Sequence, residues 1–323
     1  MVKFIPVIYQ RKKYPSDFKP KPKTQEISAP FGTEKLKNTD KLKDMDKIPY
    51  LSLHTEPGKP WGKNKILSSE LLKGLSNITS NFTKNNISKL WINKKWSEEF
   101  AIFLTRLTEG IERQSIKVIE IHPPFDSYYD FLGNPLETFL DIYEVFEKEV
   151  LKQFPSAIIN IENRCTPDKT LKPGKFLIST NEDIIKLSDL ITKKKLKLQF
   201  VIDIPQLFTA HYKDTMLTEE MIRKALSPLK GIMNIVSSTH IWGCGTPRIQ
   251  EGSGIKIVGE PHNGDFNTYF DNNQVKSCFL QEIYKLFDDG KARYFVPEVN
   301  NTEYVQSIVK DLMRVGIRFV EPE

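Results

Sequence analysis

Residues 198–208 read LQFVIDIPQLF, an apolar run with one acid inside it. Phe200, Val201 and Ile202 precede Asp203, and Ile204 follows directly. A buried strand normally excludes a carboxylate, because an unpaired buried charge costs several kcal/mol. The same intrusion recurs at Glu162 in AIINIENR, at His240 in MNIVSSTHIWG and at Glu298 in ARYFVPEVNN. In each case a ligand-type side chain closes a β-branched run.

Working outward, short apolar runs alternate with amphipathic segments, the rhythm of strands and helices taken in turn. The spacing predicts strands at KFIPVIY (3–9), PYLSLH (49–54), SKLWIN (88–93), IKVIEIH (116–122), AIINIE (157–162), LQFVID (198–203), MNIVSSTH (233–240) and RYFVPE (293–298). Helical patterns fall at SSELLKGLSNI, SEEFAIFLTRL, PLETFLDIYEVFEKEVLKQF, NEDIIKLSDLI, TEEMIRKALSPL, VKSCFLQEIYKLFDD and NTEYVQSIVKDLMRVG. Ser97, Asn181 and Thr218 are expected helix caps, Pro135 suits a first turn, and Gly316 a helix end. Eight strands alternating with helices predict an α/β fold, a (β/α)8 TIM barrel, over residues 1–323 as one domain. A doubly wound open sheet is the competing architecture, but no glycine-rich turn follows the first strand. Residues 11–47, rich in Lys and Pro, read as a basic, irregular surface excursion after strand 1 or as an arm that contacts phosphates.

With 323 residues, 39% hydrophobic and 27% charged, the composition is that of a soluble globular protein. No apolar run reaches the roughly 18 residues that span a bilayer. MVKFIPVIYQRKKYP lacks the apolar core and cleavage site of a signal peptide. Cys165, Cys244 and Cys278 form no metal-type pair, so a cytoplasmic chain with reduced thiols is expected, and the sequons at Asn77 and Asn81 read as by-products of an Asn-rich sequence. The net charge of +6 favours a polyanionic partner.

Active residues of such barrels sit at the C-terminal ends of the strands. His54, His122 and His240 end expected strands, His211 follows strand 6, and His262 lies in the long loop after strand 7; none is predicted within a helix. Glu162, Asp203, His240 and Glu298 would converge on one rim, and two Glu, one Asp and one His suit a divalent cation such as Zn²⁺, Mn²⁺ or Fe²⁺. A cation would offset the repulsion and desolvation of clustered carboxylates. The alternative is that each acid lies exposed just past its strand or is paired with a nearby cation.

These strand ends resemble the xylose isomerase-like barrels, a group that includes sugar epimerases and endonuclease IV. The group carries Glu, Asp, His and Glu on successive strands, matching Glu162, Asp203, His240 and Glu298 over roughly residues 88–320. Within the group, IHPPF, NIENRC, VIDIPQLFTAHYKD, EPH (260–262) and VPEVNN look like endonuclease IV. That resemblance implies His122 as a ligand sharing a second metal with Glu162, and a third metal at Glu260 and His262. Gln206 stands where the relatives have His, Asn93 or Lys94 where endonuclease IV has a His ligand, and Glu260 where it has Asp. One or two ions per chain are therefore expected.

The loop HIWGCGTPRIQEGSGIKIVGEPHNGDFNTYF holds further candidates for metal or substrate. His262 and Asp265 suit either a site or a turn held by an Asx-type hydrogen bond. Arg248 suits a phosphate or sugar oxygen, or plain solvent. Trp61 or Trp96, each beside lysines, suits a base stack or a helix–strand junction.

Two activities follow. The first is a metal-dependent phosphodiester hydrolase acting on DNA at abasic or damaged sites, with Glu162 bridging two ions and Glu162 or Glu298 moving protons. The second is a sugar isomerase or epimerase with one ion, Glu162 and Glu298 forming the acid/base pair on a small-molecule sugar. No membrane partner is expected. A barrel that has lost activity and serves as a binding subunit, and a peptide-directed iron oxygenase, are further readings; the intact ligand set argues against the former and nothing singles out the latter.

Overall fold

Strands of five or six residues form the frame. The computed structural model describes residues 1–42, 47–58, 63–129, 133–165, 175–213, 215–249, 256–257, 259–270 and 272–322. Its principal strands are β1 (Lys3–Ile8), β2 (Thr24–Ser28), β3 (Tyr50–His54), β4 (Ile116–Ile121), β5 (Ile158–Glu162), β6 (Gln199–Asp203), β7 (Val236–His240) and β8 (Ala292–Val296). They are ordered β8-β7-β6-β5-β4-β3-β2-β1, and β8 pairs again with β1, so eight strands close into a parallel barrel. Arg318–Phe319 adds a short strand on β1. Helices α1 (Lys94–Leu107), α2 (Pro135–Gln153), α3 (Asn181–Lys194), α4 (Ile204–Tyr212), α5 (Glu219–Leu226), α6 (Asn273–Phe287) and α7 (Thr302–Arg314) complete a (β/α)8 architecture. Among the described residues, no helix is long and apolar enough to cross a membrane.

Two compact units are distinguished by their internal packing. The first comprises Met1–Glu26, Thr180–Ile185 and Phe200–Glu323; the second comprises Ile27–Ser179 and Lys186–Gln199. In the first, Phe4 stacks on Phe295 with centroids 5.4 Å apart and meets Phe287 edge-on. Arg293 is buried there, its guanidinium held by Asp289 at 2.6 and 2.8 Å and by the carbonyls of Val236 and Met233. In the second unit, Trp91, Trp96, Phe100 and Phe146 form a continuous aromatic layer.

Several local expectations are corrected. Residues 88–93 are not a barrel strand; Ser88 makes an isolated bridge to Phe82, and Trp91 has a left-handed φ of 56°. The apolar residues there serve packing instead, with Trp91 donating from Nε1 to the His122 carbonyl at 2.7 Å. The missing strand is β2, inside the stretch 11–47, whose sequence TQEIS holds one apolar residue yet is buried at its first four positions. Ser97 lies within α1; the cap is Asn93, whose side chain accepts from Trp96 N at 2.8 Å. At α3, Thr180 and Asp183 bond reciprocally, side chain to backbone, a capping box one residue before Asn181. SSELLKGLSNI is not one helix, because Gly74 (φ 80°) separates a 3-10 turn from a single turn at Ser76–Thr79. His211 lies within α4, not outside a helix. Strand 7 starts at Val236, since 3-10 turns occupy Ser227–Ile235. Thr218 caps α5, Pro135 opens α2, and Gly316 (φ 93°) follows α7.

Candidate metal centre

The second unit carries one cluster. β3 ends at His54, β4 delivers Glu120, and His122 follows one residue past the strand. Side chains alternate along a strand, so Glu120 and His122 share a face. The register sets His54 opposite Glu120, and Glu120 and Ile121 opposite Asn160 and Ile161, which brings His122 level with Glu162. His122 Nε2 lies 2.9 Å from Glu162 Oε2 and 2.8 Å from His54 Nε2. His54 Nε2 is 3.5 Å from Glu120 Oε1 and 3.8 Å from Glu162 Oε2. One donor atom from each of these four residues lies within 4.8 Å of the others.

Their protonation follows from the partners. His122 Nδ1 faces the Glu56 carbonyl at 3.1 Å. A carbonyl oxygen only accepts, so Nδ1 carries the hydrogen. Burial, reinforced by the nearby charges of His54 and Arg164 and opposed by Glu162, lowers the His122 pKa to about 3. The ring is therefore neutral at pH 7 and its Nε2 presents a lone pair. Nε2 lies 2.9 Å from Glu162 Oε2 and 2.8 Å from His54 Nε2. A ring whose other nitrogen is fixed by a carbonyl is the usual form of a metal-ligating histidine. His54, Glu120, His122 and Glu162 are the donor set a divalent cation takes.

The first unit carries a second set. Asp203 sits opposite His240, and His240 opposite Val296, two residues before Glu298. All three side chains are buried. His240 Nδ1 is 3.5 Å from Glu298 Oε2, and His240 Nε2 is 3.8 Å from Glu26 Oε2. Asp203 has a further local reason for its place, since it caps α4: Oδ1 accepts from Gln206 N at 2.9 Å and Oδ2 from Gln206 Nε2 at 3.0 Å. Trp242 Nε1 also donates to Asp203 Oδ2 at 3.0 Å. The Trp242 ring lies against the His262 imidazole, centroids 4.2 Å apart. His262 Nδ1 in turn donates to the Glu298 carbonyl at 2.6 Å. Trp242 thus ties together three of the residues singled out above.

The remaining candidates separate. Asp265 holds a turn, its carboxylate accepting from Asn267 N and Nδ2 at 2.9 Å and from Ser307 Oγ at 2.7 Å. Glu260 is exposed and accepts from Asn263 Nδ2. Arg248 belongs to a two-residue strand paired with Lys256–Ile257. Trp96 is a fully buried residue of α1 packed on Trp91, a core role rather than a base stack. Trp61 lies outside the described residues. Asn93 caps a helix, and the third strand of the barrel ends at His54.

Reasoning from sequence overlooked Glu120, Glu26 and Trp242 and gave His54 no role. Glu120 was legible in principle, since IKVIEIH puts it two residues before His122. Glu26 was hidden in a polar strand.

No protein-family model and no curated protein matches the chain. Among solved structures it is similar to AsfvAP:AG, with 13% identity over 97% of each chain and a TM-score of 0.47. A D-tagatose 3-epimerase-like protein shows 10% identity over 98% of each chain and a TM-score of 0.46. A xylose isomerase domain protein from Alicyclobacillus acidocaldarius shows 11% identity over 97% of this chain and 98% of its own, with a TM-score of 0.43. Likenesses at this level bear on neither substrate nor chemistry. The chain itself defines a (β/α)8 barrel with a buried acid–histidine cluster fit to hold a metal ion.

Proposed function

We propose that this protein is a divalent-metal-dependent phosphodiester hydrolase acting on DNA at abasic or damaged sites. The observation that carries the reading is the donor set His54, Glu120, His122 and Glu162, with His122 Nε2 2.9 Å from the Glu162 carboxylate. The isomerase reading takes one ion; a ligand set at His54, Glu120, His122 and Glu162 supports a second. In this proposal Glu162 holds one ion with His122 and His54, and Asp203, His240 and Glu298 hold another. Bound ions would polarise a phosphate and lower the pKa of a water toward neutrality. Glu298 and Glu162 are the groups that take and return protons. Trp242 and Gln206 keep the Asp203 carboxylate in a fixed orientation, and the Glu56 carbonyl does the same for the His122 ring. The net charge of +6 and a pI near 8.9 favour a polyanionic substrate. Three cysteines without metal-type spacing agree with a reducing, cytoplasmic setting.

The test is metal content per chain, on protein purified without chelator, beside cleavage of a duplex carrying one abasic site. Two Zn²⁺ or Mn²⁺ per chain in wild type, one or none in Glu162→Gln, and strand cleavage lost in the variant are the expected results. One ion per chain with sugar epimerisation and no cleavage would overturn the proposal in favour of an isomerase.

A further inference from the structure

We propose that Arg164 is the anion-binding side chain of this centre and takes a phosphate oxygen of the substrate. The inference rests on the phosphodiesterase reading and adds to it a group that acts on the substrate rather than on the metal.

Arg164 stands two residues beyond Glu162, with its backbone N–H on the Ile178 carbonyl at 2.9 Å. Its guanidinium lies over the Phe176 ring, 5.1 Å from the centroid, and Nη1 donates to the Pro57 carbonyl at 3.3 Å. The carbonyl one residue earlier, that of Glu56, holds His122 Nδ1. Consecutive carbonyls thus anchor the imidazole and the guanidinium, which sets the arginine beside the cluster. The arginine charge is felt there, since it disfavours protonation of His122.

What remains of the guanidinium points to a ligand. Among the described residues no carboxylate pairs with Arg164, and its Nε is buried without a hydrogen-bond partner. Arg293, whose guanidinium is also buried, has a bidentate aspartate and two carbonyls. A buried N–H without an acceptor is costly. With Nη1 on Pro57 and Nε enclosed, Nη2 is the nitrogen left for a ligand, and one charge-assisted N–H from it to a phosphate oxygen is the contact expected. The Phe176 ring holds the plane of the guanidinium without neutralising it.

The test uses the full chain loaded with Mn²⁺ or Zn²⁺, with inorganic phosphate as the probe. Calorimetry gives its dissociation constant, and inhibition of abasic-duplex cleavage gives its inhibition constant. In Arg164→Gln both are expected to weaken by about tenfold to a hundredfold, with metal content unchanged and KM for the duplex raised more than kcat is lowered. Arg164→Lys should recover part of the phosphate binding. Unchanged phosphate binding in Arg164→Gln would overturn the proposal, as would absence of phosphate binding in wild type. Loss of metal or of the folded state in both variants would assign Arg164 a structural role and overturn it as well. Wild type that retains no metal but still binds phosphate through Arg164 would leave the anion site standing and remove the hydrolase reading.

Discussion

His122 concentrates the chemistry of the cluster in one ring. Its pKa, lowered to about 3 chiefly by burial, gives the metal-free protein a definite pH response. The unfolded chain takes up a proton near the ordinary value of 6.5, and the folded chain refuses it until about pH 3. This contribution to stability is therefore complete above 6.5 and shrinks as pH falls through the interval between the two values, with a slope of at most about 1.4 kcal/mol per pH unit. Urea unfolding of chelator-treated protein between pH 7 and pH 4 should show the loss, and His122→Asn should remove that share of the slope. An identical slope in the variant would show that the ring takes up its proton equally well in the folded and unfolded chain. Asp203 shows a different economy. It caps α4, receives the Trp242 indole N–H, and belongs to the proposed ligand set, so one carboxylate meets a local and a long-range demand together.

At the level of elements, β2 decides how the barrel is built. The five residues TQEIS have a single aliphatic side chain, Ile27, which is 2% exposed. Ile27→Ala should cost about 2–4 kcal/mol, the range for emptying a packed core site. A residue of an irregular surface excursion would lose at most about 0.5 kcal/mol. Thermal or urea unfolding of the variant distinguishes the two. β2 also marks where the sequence could and could not be read. Strands β4 to β8 announce themselves because apolar runs fill or adjoin them, and each ends in or shortly before a ligand-type side chain. In β2 the buried positions are Thr24, Gln25 and Glu26, whose polarity hides the strand from any hydrophobic pattern. The converse error arose at residues 88–93, where Leu90 and Trp91 are buried as packing plugs with no ladder partner. His54 ends the strand expected for it, which is the third of the barrel and not the second, and Glu120, inside an expected strand, went unnoticed. Glu162, Asp203 and His240 end strands and Glu298 follows one, the places their sequence runs gave them.

Across the whole molecule, a net charge of +6 makes a polyanion the expected partner. Binding to duplex DNA should weaken as salt rises, with a log–log slope of about −0.9 for each phosphate neutralised. Fluorescence anisotropy with an abasic duplex between 50 and 200 mM salt measures that slope. Arg164→Gln should make it shallower by about one charge, whereas a slope near zero would remove DNA as the partner.

Closing the barrel also has a consequence in time. β1 pairs with β2 on one side and with β8 on the other, Lys3 meeting Ala292. During synthesis at about 5–20 residues per second, the first strand waits roughly 15–60 s for that second neighbour to leave the ribosome. Phe4, Ile5 and Val7, all buried in the finished fold, are in that interval an exposed apolar edge. β1 is thus the strand that stays half-paired longest, and the emergence of β8 ends that interval.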